Sequence, residues 1–152
     1  VASPAYLARH GTPKTLADLE RHNRIGFNFS RSVEGWPLLD GGTIVSLPAS
    51  GNVLVGDGES AHLLALAGVG LARLSLFHIE PDIRAGRLVP VLEHMNPGDT
   101  EDISAVYLGQ GGHLPARIRA FIDYLVARGR LGRDRVLSSK AQPPGYTYPK
   151  GS

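Results

Sequence analysis

The sequence feature that most constrains the fold is the stretch from Asn52 to Ser75, which has the pattern strand, tight turn, helix, strand. Its apolar start leads into Gly56-Asp57-Gly58, where two glycines can adopt positive φ and the aspartate can cap a helix. The segment 59–67 is rich in Ala and Leu, which are strong helix formers, and is apolar on almost every side. The pattern predicts a βαβ unit with a helix buried on more than one face, and therefore a mostly parallel sheet.

The end of this stretch predicts a second, interior strand. Gly68 and Gly70 end the helix, and Leu71 to Leu74 form a short apolar segment. The turn at Gly56 leads from the carboxyl end of one strand into a helix, and open α/β sheets bind ligands at that edge. This edge is therefore a first candidate for a ligand-binding site.

Other helices are indicated by caps and by apolar periodicity. Ser3-Pro4 predicts the start of a short helix, and Thr15 predicts the cap of a second. Leu76 to Gly86 predicts a helical turn followed by a third short helix that begins at Glu80 or Pro81. The clearest helix is Pro115 to Arg128, whose apolar residues recur at intervals of three, four and seven. These residues are Ile118, Phe121, Ile122 and Leu125.

Other strands are indicated by short apolar runs bounded by turns. Arg24 to Phe29 is one strand candidate, and Arg87 to Leu92, with its internal proline, is an edge-strand candidate. A hairpin is predicted between 36–39 and 43–47, because the intervening Asp40-Gly41-Gly42 is a strong turn sequence.

Composition excludes several classes of protein. The chain is 42% apolar and 20% charged, which is typical of a globular domain. It has no apolar run approaching the roughly 18 residues that a membrane span needs. The absence of cysteine excludes disulfides and thiolate chemistry. A formal net charge of +2 is small for a domain that grips nucleic acid through its phosphates.

No catalytic constellation or metal site is expected. Gly68-Val69-Gly70 follows a helix instead of opening one, so it is not a dinucleotide fingerprint. No nucleophile elbow is present, and the charged loop that contains Glu93, Asp99, Glu101 and Asp102 is interpreted as solvated. The histidines lack metal-ligand spacing and are interpreted as surface or core residues. They are His10, His22, His62, His78, His94 and His113.

Four stretches, in uninterrupted order from Val1 to about Leu131, resemble the C-terminal effector-binding domain of LysR-type transcriptional regulators. These are ASPAYLARHGTPKTLADLERHNRIGF, LLALAGVGLARLS, DIRAGRLVPVLE and HLPARIRAFIDYLVAR. The resemblance implies an α/β fold similar to type 2 periplasmic binding proteins. In that fold two subdomains are joined by crossover strands, and an effector binds between them.

The resemblance also implies a division of the chain. Residues 1–12 would cross over from the first subdomain, and 13–101 would form the second, effector-binding subdomain. Residues 102–131 would provide the other crossover strand and the returning C-terminal helix of the first subdomain, and 132–152 are expected to be a disordered tail. A helix-turn-helix, a linker helix and most of the first subdomain would precede Val1, so the chain is expected to be N-terminally truncated.

Members of this family contact effectors from the loop after the first strand of the second subdomain. That loop matches Asn28, Phe29 and Ser30. The amide and the hydroxyl can hydrogen-bond a carboxylate, and the phenyl ring adds apolar contact. The alternative is that Phe29 belongs to the core and that the other two residues form a turn.

A second candidate site is the start of the central helix, at Asp57, Gly58 and Glu59. Its free backbone N–H groups suit an anion. Two acidic residues at the same place argue against an anion, since they already use the positive potential of the helix end. Asp57 is then an N-cap, or the acids face a ligand that carries a cationic group. The sequence also departs from the family at Arg73, where an apolar residue is usual, which would alter ligand preference.

The resemblance implies a bacterial, cytoplasmic, non-enzymatic effector sensor without a cofactor. DNA would be bound through the N-terminal helix-turn-helix, and the chain would have no membrane partner. Loss of its native sheet would expose the apolar stripe of the C-terminal helix, which favours a homo-oligomer. The alternative is a fragment of a periplasmic solute-binding protein that serves transport. The sequence identifies neither the effector nor the regulated genes.

Overall fold

The structure, a computed structural model, describes residues 1–28, 35–100 and 115–128. They fall into two compact units that divide between Asp99 and Thr100. The first unit contains the helices α1 (Pro4–His10), α2 (Leu16–Glu20), α3 (Gly58–Leu66) and α4 (Leu76–Arg84), and a 3₁₀ helix at Glu93–Met95. Its strands are β1 (Gly26–Phe27), β2 (Trp36–Asp40), β3 (Thr43–Leu47) and β4 (Leu54–Val55). The second unit contains α5 (Ala116–Arg128).

The predicted parallel arrangement is confirmed. β1 pairs with β4 in parallel, with Gly26 opposite Leu54. On the other side of the same segment, Arg24 forms a parallel bridge to Leu71. The predicted strand from Leu71 to Leu74 is wrong in length, because pairing with the Arg24 segment is limited to that one bridge. The chain leaves the ladder after Ala72 and enters α4, whose N-cap is Ser75.

Two further segments extend the hydrogen-bonded network on the far side of Leu71. The Ala72 amide donates to the Val1 carbonyl oxygen over 2.9 Å. Ala2 forms an antiparallel bridge to Val89, with hydrogen bonds of 3.1 and 2.8 Å. The predicted edge strand from Arg87 to Leu92 is therefore reduced to a single bridge. Pro90 follows at once and has no N–H group with which to continue the ladder.

The predicted hairpin is confirmed. β2 and β3 pair antiparallel from Trp36 opposite Leu47 to Asp40 opposite Thr43. The two-residue turn has φ of 55° at Gly41 and 85° at Gly42. Positive φ at both positions defines the turn type whose twist matches that of paired strands.

The first two helix starts are also confirmed, whereas the start of α4 is not. The Ser3 hydroxyl accepts a hydrogen bond from the Tyr6 amide at the start of α1. Thr15 forms a capping box with Asp18 at the start of α2. α4 begins at Leu76 and contains Pro81 in its interior, so the prediction that it starts at Glu80 or Pro81 is wrong. Burial of Ile79 in the core outweighs the local preference of proline.

The parallel strands separate two apolar clusters. One contains Tyr6, Leu19, Trp36 and Leu71 and is covered by α1, α2 and the hairpin. The other contains Ile25, Val55, Ala61 and Ala72 and is covered by α3 and α4. Leu71 and Ala72 are neighbours that belong to different clusters, as the alternation of side chains along a strand requires. This alternation assigns each strand residue to a face.

Helix α3 is buried along its inner face and its flanks. Ala61 and Ala65 are buried, and Leu64 and Leu66 on either side of them are half-buried and pack against the same apolar cluster. Leu63, on the outer side, is 56% exposed. The helix is therefore buried over more than one face, as its sequence predicts, and its outer side is open.

The second unit confirms the predicted C-terminal helix. α5 begins at Ala116, one residue after Pro115. Phe121 is 60% exposed, Leu125 is also exposed, and Ile118 and Ile122 are half-buried. No helix in the described ranges is both long and apolar enough to cross a membrane. The predicted crossover strand at the start of 102–131 and the predicted disordered tail at 132–152 lie outside the described residues.

Candidate functional site

The candidate site lies at the carboxyl ends of β1 and β4. The Asn28 amide donates to the Val55 carbonyl oxygen over 3.0 Å, which fixes the end of β1 beside the end of β4. The Asn28 side chain is exposed, and its Oδ1 lies 3.9 Å from where a Cβ of Gly56 would be. The structure therefore brings Asn28 next to the turn that precedes α3. Phe29 and Ser30 lie outside the described residues, so their roles stay predictions.

Asp57 is the N-cap of α3. Its carboxylate accepts hydrogen bonds from the Ser60 amide at 2.7 Å and from the Ser60 hydroxyl at 3.0 Å. These bonds hold the pKa of the Asp57 carboxyl below its usual range, so the group is ionised at neutral pH. Its negative charge already lies at the positive end of the helix, which leaves less potential for an anionic ligand. The carboxylate oxygens can still accept a hydrogen bond from a ligand donor.

Gly58 and Glu59 both lie against His78 of α4. A Cβ at Gly58 would lie 3.4 Å from Cε1 of His78, so the first turn of α3 approaches α4 closely. Oε2 of Glu59 is 3.8 Å from Nε2 of His78, and both side chains are more than a third exposed. Solvent screening makes such a pair weak, so Glu59 remains accessible to a ligand.

The segment that follows the Leu71 bridge adds charges of both signs to this edge. Arg73 lies two residues after the Leu71 bridge, just beyond the point where the chain leaves the ladder. Arg73 forms an ion pair with Asp99, which immediately precedes the division between the two units, and about a third of each side chain is exposed. Asp99 is exposed, which agrees with its interpretation as part of a solvated loop, and it also has an ion-pair partner that the sequence did not predict. Sequence reasoning missed this pair because its partners are 26 residues apart and follow no local pattern.

A second concavity, which sequence reasoning did not predict, lies between the hairpin turn and the start of α2. It has a volume of about 520 Å³ and mixes charged with apolar side chains. Its lining consists of Lys14, Thr15, Leu16, Ala17, Leu39, Asp40, Gly41, Gly42, His94 and Met95. None of the predicted effector-binding residues belongs to it.

The histidines occupy varied environments. His10 and His94 are exposed, whereas His22 and His62 have few exposed atoms and hydrogen-bond other side chains. No group of three or more histidine, aspartate or glutamate side chains suited to a metal ion occurs in the part of the chain that the structure describes. His113 lies outside that part.

Comparison with known proteins links this geometry to one family. The family model described as the LysR substrate binding domain matches residues 1–130. The HTH-type transcriptional regulator CrgA of Neisseria meningitidis serogroup C is 36% identical over 127 residues, which are 83% of this chain and 42% of that protein. The HTH-type transcriptional activator TtdR of Escherichia coli K12 is 29% identical, over 87% of this chain and 43% of that protein. The chain thus spans less than half the length of either relative.

Solved structures give the same result for the fold. The regulatory domain of CrgA from Neisseria meningitidis has a TM-score of 0.74 and 35% identity, covering 84% of this chain and 62% of that one. The regulatory domain of AphB from Vibrio vulnificus has a TM-score of 0.56 at 24% identity, covering 83% of this chain and 61% of that one, which is a likeness of fold alone. These likenesses confirm the predicted α/β fold of the type 2 periplasmic-binding-protein class.

Proposed function

The chain belongs to the LysR substrate-binding domain family, and on that basis we propose that it is the effector-sensing part of a transcriptional regulator. The observation that carries this proposal is the family match over residues 1–130, combined with an exposed Asn28 amide at the carboxyl ends of two parallel strands. A small molecule bound there would contact Asn28, Phe29 and Ser30 from one side and Asp57, Gly58 and Glu59 from the other. Relatives that are regulators favour sensing over transport.

The chemistry of this edge favours a ligand with both polar donors and an acceptor. Asp57 and Glu59 offer carboxylate oxygens, and Asn28 offers an amide that both donates and accepts. Arg73 offers a cation whose bond to Asp99 is partly open to solvent. A ligand carboxylate that replaced Asp99 as the partner of Arg73 would release Asp99, the residue at which the two units divide.

The regulatory mechanism in this proposal is a shift between conformations. Residues 13–101 form the second effector-binding subdomain, 1–12 and the start of 102–131 form the crossovers, and α5 completes the first subdomain. An effector that binds the closed arrangement better than the open one populates the closed arrangement. The free energy of this shift equals the difference between the effector's binding free energies for the two arrangements. A ligand that binds both arrangements equally well would therefore not signal.

The whole protein would work as a cytoplasmic homo-oligomer without catalytic activity. DNA contact belongs to a helix-turn-helix outside this chain, as the names of the relatives CrgA and TtdR suggest. The exposed apolar side chains of α5, such as Phe121, support self-association. No cofactor is needed for this role.

The first test combines a ligand screen with substitutions at the edge. A thermal-shift screen of small metabolites against the purified chain identifies a ligand, and calorimetry then gives its affinity. We expect Asn28→Ala and Ser30→Ala each to weaken ligand binding about threefold to tenfold, the loss that goes with one hydrogen bond. The full-length regulator that carries either change should still bind its operator normally.

A matched control is available just before β4. Asn52 is also exposed but lies two residues before the amino end of the strand, so Asn52→Ala should leave ligand affinity unchanged. Equal affinity of the wild-type chain and both edge variants would contradict the site assignment. A ligand that binds this domain without changing operator binding by the full-length protein would contradict the sensing role.

A further inference from the structure

The second concavity, between the hairpin turn and the start of α2, is large enough for a small ligand. Its volume of about 520 Å³ lies within the range usual for small-molecule sites, about 300–1,000 Å³. Three segments that are distant in sequence form it, namely the start of α2, the turn of the hairpin and the 3₁₀ helix. None of Asn28, Asp57, Gly58 and Glu59 lines it, so a ligand here would leave the candidate effector edge open.

Apolar side chains form part of its lining. Met95 is only 5% exposed and belongs to the same core cluster as Trp36 and Leu71. Leu16 is half-buried and packs against that cluster, and Leu39 is 38% exposed. Core packing therefore holds an apolar floor beneath the opening. A floor of this kind suits an aliphatic side chain of a ligand.

The lining also carries opposite charges that are not paired with each other. Lys14 and Asp40 both line the concavity, and both are exposed. Within the part of the chain that the structure describes, no ion pair joins them or links either side chain to another residue. The Lys14 main-chain amide donates to the Asp18 carboxylate over 3.1 Å, which anchors the base of the lysine side chain. A cation and an anion on one opening can bind the two charged ends of a zwitterion.

The outer edge of β2 adds a main-chain donor and a main-chain acceptor. The two-residue turn makes Asp40 and Thr43 a hydrogen-bonded pair. Hydrogen-bonded and non-hydrogen-bonded pairs alternate along an antiparallel ladder, so the next pair, Leu39 and Ile44, exchanges no hydrogen bonds. The N–H and C=O groups of Leu39 therefore point away from β3, on the side where the 3₁₀ helix packs beside β2. No described segment pairs with this edge.

The same edge limits the length of chain that could pair with it. Pro37, two residues before Leu39, has the same orientation but lacks an N–H group, so it can only accept a hydrogen bond. In the other direction β2 ends at Asp40, and the turn begins. A full additional strand would find one complete pairing position, at Leu39. This arrangement favours a short peptide over a long strand of a partner protein.

We propose that the second concavity binds a short apolar peptide with free termini, represented by the tripeptide alanyl-leucyl-alanine. The central residue of the peptide exchanges main-chain hydrogen bonds with Leu39, as in strand addition. Its carboxylate pairs with Lys14 and its ammonium group with Asp40. Its leucine side chain lies against Leu16 and Met95. This site is separate from the candidate effector edge and does not depend on the function proposed for that edge.

Met95 provides a single, local reporter for the test. It is the only methionine in the sequence, so a chain labelled with carbon-13 in the methionine methyl group gives one methyl signal, from the floor of the concavity. We expect alanyl-leucyl-alanine to shift that signal saturably in nuclear magnetic resonance spectra of the native chain, with a dissociation constant of about 1 mM or below. Free leucine, which has no peptide group to pair with Leu39, should bind at least about tenfold more weakly.

Variants of the peptide and of the chain test the two charged contacts. Lys14→Gln and Asp40→Asn should each weaken binding about tenfold, because each replaces a charge-assisted hydrogen bond by a neutral one. On the native chain, amidation of the peptide carboxylate and acetylation of its amino group should each cause a similar loss. The amidated peptide should no longer respond to Lys14→Gln, and the acetylated peptide should no longer respond to Asp40→Asn. The arms that use the native chain decide the assignment even if a variant does not fold.

Two control variants should bind the peptide like the native chain. Arg84→Gln removes an exposed positive charge from α4, which covers the other apolar cluster, and Asn28→Ala alters the candidate effector edge. A Met95 signal that does not move well above the expected dissociation constant would overturn the proposal, as would equal affinity of the native chain, Lys14→Gln and Asp40→Asn. Equal affinity for free leucine would overturn the peptide as the ligand class. Weakening by Asn28→Ala would assign the peptide to the effector edge and contradict a second site.

Discussion

Tyr6 joins two segments of the first unit through one hydroxyl group, and Asn23 extends the link to a third. Its Oη lies 3.1 Å from Nδ1 of His22 and accepts a hydrogen bond from the Asn23 amide at the same distance. Burial raises the pKa of Tyr6 and lowers that of His22, so both side chains are neutral at neutral pH. Asn23 in turn donates to the Val69 carbonyl oxygen. The hydroxyl thus helps to align the strand that ends at the candidate site.

We expect Tyr6→Phe to lower the free energy of unfolding by about 1–3 kcal/mol. The phenyl ring retains the apolar packing, but the Asn23 amide and His22 Nδ1 are left without their partner in a buried region. Urea denaturation of the purified chain measures this loss. An unchanged midpoint would mean that water replaces the hydroxyl.

Arg24 shows why residue-level pairings are hard to read from sequence. The side chain is buried, and its guanidinium donates to the carbonyl oxygens of Leu19 and Pro48, at 2.5 and 3.1 Å. An arginine in a strand pattern predicts an exposed side chain. Its two acceptors come from α2 and from the turn after β3, and only the fold brings them together.

Elements with local signals were predicted, and those that depend on distant partners were not. Caps at Ser3 and Thr15 and the glycine turn each lie within a few residues of the structure they specify. The bridge at Leu71 and the hydrogen bonds of Ala72 depend on Arg24 and Val1, which lie far away at the start of the unit. The Arg73–Asp99 and His62–Asp82 contacts join residues 26 and 20 positions apart. At the candidate site, Asn28 and Asp57 were identified through the family resemblance and the cap pattern, and the charged pairs beside them were not.

The hairpin turn provides an element-scale prediction. Nothing lies within 4 Å of a Cβ at Gly41 or Gly42, so a substitution there meets backbone strain without a clash. We expect Gly42→Val to lower the free energy of unfolding by about 1–2 kcal/mol, because positive φ is unfavourable for a residue with a Cβ. Gly41→Asn is the matched control and should be nearly neutral, since asparagine tolerates this conformation.

Thermal unfolding of the three chains distinguishes these outcomes. Equal losses in both variants would indicate that the turn depends on something other than φ. A stable Gly42→Val chain would show that the turn can change type without disturbing the pairing of Trp36 with Leu47.

At the scale of the whole molecule, the apolar face of α5 predicts association. We expect Phe121→Glu to weaken self-association by at least about tenfold, since burial of a phenylalanine side chain is worth about 1.5–3 kcal/mol. Ala120 is exposed and lies on the opposite side of the helix from the stripe that contains Ile118 and Leu125, so Ala120→Glu should have little effect. Sedimentation equilibrium of the three chains measures the difference.

A monomeric wild-type chain would contradict this prediction directly. Equal weakening by both substitutions would show that added negative charge, and not loss of the apolar contact, is responsible.

The bridge between Ala2 and Val89 limits how early the chain can fold while it is being synthesised. A ribosome adds roughly 5–20 residues per second, so Ala2 waits several seconds or longer before its partner has been synthesised. Arg24 likewise waits for Leu71, whereas the hairpin can close as soon as β3 emerges. Long-range pairing of this kind slows folding. The newborn chain therefore holds a finished hairpin beside unpaired sheet segments, and this interval is when it most needs protection from aggregation.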